Sequence, residues 1–249
     1  MVLKRLLGIA AATLLPVTVH AGWSGNLALE LRGFTSDGLY YGQENGGLSL
    51  SFQPEYRYQW NDGNNGFTFI PFMRLDSMDD ERSHLDIREL VFLWVRDSWE
   101  IRTGISRVFW GVTESQHLVD IINQTDAIEN IDGEDKLGQP MLKLALIRDW
   151  GVVDIFLLPG FRERTFPGVN GRPRPEAIVD TSLDAIYDSS DADRHIDLAA
   201  RYFHYIGEWE FGLSVFDGTG REPLDFVPVG ITANGEPIVV PVYSLINQI

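Results

Sequence analysis

Three features of this sequence predict an all-β chain, an antiparallel transmembrane β-barrel built as an up-and-down meander. Side chains alternate apolar and polar along extended stretches, connections alternate in length, and the N-terminus looks like an export leader. About ten strands are expected, and the barrel is expected to be incomplete. The clearest stretch is 48–60. Its even positions are Leu48, Leu50, Phe52, Pro54, Tyr56, Tyr58 and Trp60; its odd positions are Ser49, Ser51, Gln53, Glu55, Arg57 and Gln59. Only a strand sorts these residues onto two faces, one aromatic and one charged. Pro54 lacks a ladder donor, which predicts a local bulge there.

At the N-terminus Lys4 and Arg5 precede the apolar run 6–15, then Pro16 and Val19-His20-Ala21. A basic region, a short apolar region and a small-residue cleavage site make 1–21 a signal peptide, with the barrel over 22–249 as the N-terminal part of a larger one. Nowhere else does the sequence approach the roughly 20 apolar residues of a helical span. Absence of cysteine excludes a disulfide framework, thiol chemistry and a lipidated N-terminal Cys. Formal charge is −16, or −18 without the leader, which holds Lys4 and Arg5 and no acid. Such a surface excludes nucleic acid as a partner. The acids cluster at 76–81, 129–135 and 180–193, where they read first as solvated loops and second as groups that divalent cations bridge.

Taken in order, 22–34 alternates Leu27, Leu29 and Leu31 against Ala28, Glu30 and Arg32, and 48–60 follows. Strand 67–76 sets Phe67, Phe69, Met73 and Leu75 against Thr68, Arg74 and Asp76. Strand 84–96 alternates less cleanly: Asp86 and Arg88 fall in phase with Leu90, Phe92 and Trp94, while Leu85, Ile87, Val91, Leu93 and Val95 make the other side apolar too. Strand 99–110 opposes Trp99, Ile101, Thr103 and Ile105 to Glu100, Arg102, Gly104 and Ser106. Strands 140–148, 152–158, 194–206 and 209–217 follow, and 239–249 reads as the start of a tenth that stops in mid-strand, as in a truncated reading frame. Within the connection 111–139, residues 115–123 suit one or two helical turns.

Connections 35–47, 111–139, 161–193 and 218–238 are long, 77–83 is intermediate, and 61–66, 97–98, 149–151 and 207–208 are short. Sorting by parity is the pattern of an outer-membrane barrel with short periplasmic turns and long external loops. Trp60, Tyr56, Tyr58, Phe67, Trp99, Phe109, Trp110, Trp150 and Trp209 near strand ends suit interfacial girdles.

The stretch IRTGISRVFWGVTESQHLVDIINQTD from Ile101 resembles a segment of porin-like outer-membrane channel proteins, in which Arg-x-Gly-x-x-x-x-x-Trp-Gly leads into Asp-x-x-Asn-x-x-Asp. Arg102, Gly104, Trp110, Gly111, Asp120, Asn123 and Asp126 stand at the matching places, and FGLSVFDGTGREP at 211–223 looks like a late strand running into its loop. The resemblance implies a water-filled barrel and specifies no substrate. Taken with the leader and the loop parity, it leads to the expectation of a channel for passive diffusion of small hydrophilic solutes in the outer membrane of a Gram-negative-type cell, with the lipid bilayer as partner and room for a homo-oligomer.

In such a channel the lumen-facing charges set bore and field. These are expected to be Glu55 and Arg57, Arg74 and Asp76, Asp86 and Arg88, Glu100 and Arg102, and Asp197 and Arg201, forming either opposed rows or a self-neutralised wall. Loop 111–139 or loop 161–193 could fold inward as a constriction. Enzymatic chemistry is not expected. Ser115 and His117 adjoin only in sequence, His195 sits among acids, and 130–135 lacks calcium-loop spacing. No cofactor or metal is called for. Two alternatives stay open: a barrel with a structural or adhesive role, and a soluble secreted β-sandwich that binds carbohydrate through exposed aromatics.

Overall fold

The computed structural model describes residues 9–16, 22–110, 121–130 and 132–249. One large antiparallel sheet dominates. Its strands are β1 (Ile9–Pro16), β2 (Trp23–Gly33), β3 (Gly46–Trp60), β4 (Asn65–Asp76), β5 (His84–Arg96), β6 (Trp99–Ser106), β7 (Gln139–Arg148) and β8 (Gly151–Pro159), followed by β11 (Ile196–Ile206), β12 (Trp209–Thr219) and β15 (Leu245–Gln248). The 11 strands pair in that order as a meander, and the sheet does not close on itself. Within the leader-like region only 9–16 is described, lying along β2 with Ile9 opposite Gly33 and Pro16 opposite Asn26. Cleavage after residue 21 would make β2 the edge. No helix among the described residues is long and apolar enough to cross a membrane, which bears on helical spans alone.

The register lines up a set of apolar positions from β2 to β12 on one face. Tyr58, Phe67, Phe92, Thr103, Leu142, Leu157 and Leu198 form one continuous cross-strand row. Trp94, Ile101, Leu144, Ile155, Ala200 and Val215 form the next. This face is bare: Leu29, Leu31, Leu50, Phe52, Leu75, Leu142, Leu157, Leu198 and Leu213 are all exposed on it. The opposite face is packed against the long connections.

Two expectations about strand phase are corrected. Between β4 and β5 the register shifts, with Ile70 opposite Glu89 but Pro71 opposite Ile87, so Arg88 is an extra residue in β5. This bulge resets the phase. Leu90, Phe92 and Trp94 therefore join Leu85 and Ile87 on the bare face, while Asp86 and Arg88 stay on the packed face. The irregular alternation of 84–96 is the trace of that bulge. No bulge forms at Pro54: its ladder with β2 runs through Gly25 without a shift, and pairing with β4 keeps one register from Phe52–Met73 to Tyr56–Phe69.

The C-terminal third also differs from expectation. Residues 239–249 are not one strand. β13 (Asp225–Ile231) and β14 (Pro237–Tyr243) form a hairpin in a second, four-stranded sheet with the two-residue strands β9 (Ile178–Val179) and β10 (Ile186–Tyr187), and only β15 returns to β12. Thus 218–238 contains a strand. Strand β6 ends at Ser106, not at 110, and Trp110 is no girdle residue. It is 2 % exposed in a core with Ile122, Met141, Phe156, Leu158, Ala199 and Phe216 on the packed face. The helical turns expected at 115–123 fall outside the described residues except for 121–123, which are not helical.

Candidate functional site on the packed face

All ten charged residues expected to share a face do so. Glu55 and Arg57 are in phase with Ser49 and Ser51; Arg74 lies opposite Ser51, Asp76 opposite Ser49, and Asp86 opposite Phe72 beside Arg74. Glu100 and Arg102 lie opposite Ala145 and Lys143, and Arg201 opposite Asp154. They divide by depth, however. Arg74, Asp76, Asp86, Arg88 and Asp197, toward the long-connection end, are locked beneath the connections. Glu55, Arg57, Glu100, Arg102 and Arg201, toward the short turns, line an open wall.

The locked group centres on Glu129, which the connection 107–138 carries onto the sheet. Arg74 donates from Nε and Nη2 to Glu129 at 2.9 and 2.6 Å, and from Nη1 to Ser49 at 2.8 Å and Glu30 at 3.1 Å. Arg82, in the single turn Asp80–Arg82, donates to Asp76 at 2.5 Å, to Glu30 at 3.1 Å and to the Ile128 carbonyl at 2.8 Å. Arg88 joins Asp86 at 2.9 Å and Asp126 at 2.6 Å. Asp126 is wholly buried, with Thr165 on its other oxygen at 2.7 Å. Charges this deep persist only because each is paired.

A strap formed by 161–172 then runs along the same end. Arg162 donates to Asp86 at 2.7 Å and to the Gly138 carbonyl at 2.7 Å, Gly168 N–H to Asp79 at 3.1 Å, Gln43 to the Gly171 carbonyl at 2.7 Å, and Arg172 to the Ser36 carbonyl at 2.7 Å. The strap thereby links the end of β8 to the β2–β3 connection. Burial holds the Asp79 carboxyl above its usual range, against the Gly168 and Glu81 N–H groups that favour its ionised form. At the other edge Asp197 accepts from Arg221 at 2.8 Å, from Thr219 N–H at 2.9 Å and faces His195 Nδ1 at 2.9 Å, while Arg221 also reaches the Ile122 carbonyl at 2.9 Å. Burial pulls the Arg221 guanidinium down from its usual range, and Asp197 opposes that.

On the open wall two charge pairs run along one strand and two cross to the neighbouring strand. Arg57 bonds Glu55, and Arg102 lies 3.7 Å from Glu100. Arg201 lies 3.9 Å from Glu210, and Lys143 3.0 Å from Asp154. The arrangement is a mixed, self-neutralised wall, not two opposed rows. Sequence reasoning missed Glu30, Arg82, Glu129, Arg162, Lys143 and Asp154. Lys143 and Asp154 were legible as lone charges in apolar strands. Glu129 and Arg162 lie in loops, where alternation says nothing.

The residues that carry the porin-like resemblance are builders of this site. Gly104 takes φ +119°, and a Cβ there would come within 2.0 Å of the Leu90 carbonyl. Asn123 accepts from Val108 N–H at 2.8 Å and donates to the Ser106 and Leu137 carbonyls at 2.8 and 2.9 Å, pinning both ends of the connection. Gly111 and Asp120 lie outside the described residues. His84, Asp126 and Glu129 present donor atoms within 4.8 Å of one another. Arg88 and Arg74 already occupy both carboxylates, so the arrangement is an ion network. Asn130 donates to the Asp135 carboxylate at 2.6 Å in the acidic stretch without calcium-loop spacing. No family model, curated protein or solved structure matches this chain.

Proposed function

We propose that the chain is an outer-membrane porin-like channel through which small hydrophilic solutes diffuse, its bare face turned to lipid and its packed face to the lumen. The observation that carries this reading is the exposed, largely apolar face running from β2 to β12, interrupted by Thr103, His204 and Asp217 and set against a charged opposite face. Water does not leave so large an apolar surface uncovered at low cost, whereas a bilayer receives it. Aromatic side chains support the orientation. Trp23, Tyr56, Phe67 and Phe92 stand in a chain of ring contacts of 4.9–6.1 Å toward the short-turn end, and Trp99, Trp150 and Trp209 lie at or beside the short turns. In this reading residues 1–21 direct export, the open sheet is part of a larger barrel, and a homo-oligomer is compatible with it.

A soluble sandwich would require a second sheet over the apolar face, and the small sheet leaves that face exposed. A specific observation favours a second barrel reading, a structural one without conduction: 121–138 and the strap fill the long-connection half of the packed face. Planar-bilayer recording of the refolded chain decides between them. Discrete conductance steps are expected, and a folded, inserted protein that conducts nothing would leave the structural barrel. Stable solubility without detergent would remove both.

A further inference from the structure

We infer that the open wall is ordered so that its cations stand nearest the solvent, making it a surface that favours small anionic solutes. This rests on the pore reading and goes beyond it, since by count Glu55, Arg57, Glu100, Arg102, Lys143, Asp154, Arg201 and Glu210 sum to zero charge. Selectivity therefore cannot come from an excess of either sign. It comes from depth. In the Arg57–Glu55 pair the arginine side chain is 57 % exposed and the glutamate 28 %; in Arg102–Glu100 the values are 33 % and 24 %; in Lys143–Asp154 they are 18 % and 7 %. Arg201–Glu210 alone reverses the order, at 15 % and 34 %. Coulomb energy falls with distance and is screened within a Debye length, so a passing ion feels the nearer partner of each pair more strongly.

Bonding strengthens the inference. The Arg102 guanidinium stands 3.7 Å from Glu100, beyond hydrogen-bonding distance, and its side chain is the more exposed of the two. Lys143 lies directly across the ladder from Arg102 on the same face, so the two cations stand together, with Asp154 3.0 Å from Lys143 and Glu100 3.7 Å from Arg102. A carboxylate or phosphate oxygen from a solute gives the exposed part of the guanidinium a closer acceptor than Glu100 does. Arg107, 3.6 Å from Glu89, repeats the order, but Glu134 and Asp135 share its cavity, so the test rests on Arg57 and Arg102.

The test is the reversal potential of the refolded full-length chain in a planar bilayer under a potassium chloride gradient. Chloride is expected to be the more permeant ion. The double variant Arg57→Gln/Arg102→Gln is expected to lower the chloride-to-potassium permeability ratio about twofold or more, and Glu55→Gln/Glu100→Gln to raise it. Arg194→Gln, a surface substitution in the turn Ala192–Arg194, should leave it unchanged. Conductance that favours potassium, or a ratio that both double variants leave alone, overturns the inference while the pore reading stands. A folded, inserted chain without conductance overturns the pore reading and this inference with it.

Discussion

Single residues on this face do backbone and burial work that their neighbours cannot share. Gly104 is held at positive φ beneath the Leu90 carbonyl, so Gly104→Ala must shift β5 or β6; a loss of about 2–3 kcal/mol is expected, read as a lowered urea midpoint in lipid vesicles. Asp79 sets a pH dependence. Its carboxyl is held above the usual range by burial, so the folded state carries more protons than the unfolded one as pH rises out of the acidic range. The stability that the protonated form contributes is present below the ordinary carboxylate pKa and lost as pH rises through the elevated one. Asp79→Asn should flatten that part of the urea-midpoint profile while Asn Oδ1 still accepts from Glu81 or Gly168 N–H. Neither role is visible in a string of letters: an isolated Gly in a strand pattern and an Asp in an acidic loop both have commoner, blander readings.

At the scale of elements, the connection carrying 121–130 is seated by ion pairs rather than by apolar area alone. Glu129→Gln removes the anion against Arg74, which keeps only Glu30 and Ser49, and about 3 kcal/mol of local stability is expected to go with it. Hydrogen exchange should show 121–130 losing protection well before β3 and β4. Because desolvation is the larger part of that penalty, Arg74→Met/Glu129→Leu should recover much of the loss. Full loss in the double variant would show that pairing, not desolvation, dominates. The bulge at Arg88 belongs to this scale too. It lets β5 turn Arg88 toward Asp126 while returning Phe92 and Trp94 to the bare face, and alternation alone registered it only as an imperfect strand.

For the whole molecule the decisive feature is the difference between the two faces of one sheet. Leu157→Arg, in the middle of a cross-strand apolar row, is expected to lower folding stability in vesicles by about 2–4 kcal/mol if that face meets lipid, and by a small fraction of that if it meets water. Urea titration in vesicles of the variant against the parent chain makes the measurement, and an unchanged midpoint would count against membrane insertion.

The all-β class, the meander and the common face of the ten charged residues were legible because a strand's alternation is a local, period-two property that survives in the letters. Most strand bounds came with it. Which of those charges are locked and which are open was decided only by tertiary structure, because burial depends on where 121–138 and 161–172 travel, and that is set by pairings across dozens of residues such as Arg74 with Glu129 and Arg162 with Asp86. The second sheet was illegible for the same reason. Residues 225–231 and 237–243 are apolar runs broken by proline with no clear alternation, and only the pairing of β14 with β13, β9 and β10 decides that they belong outside the meander.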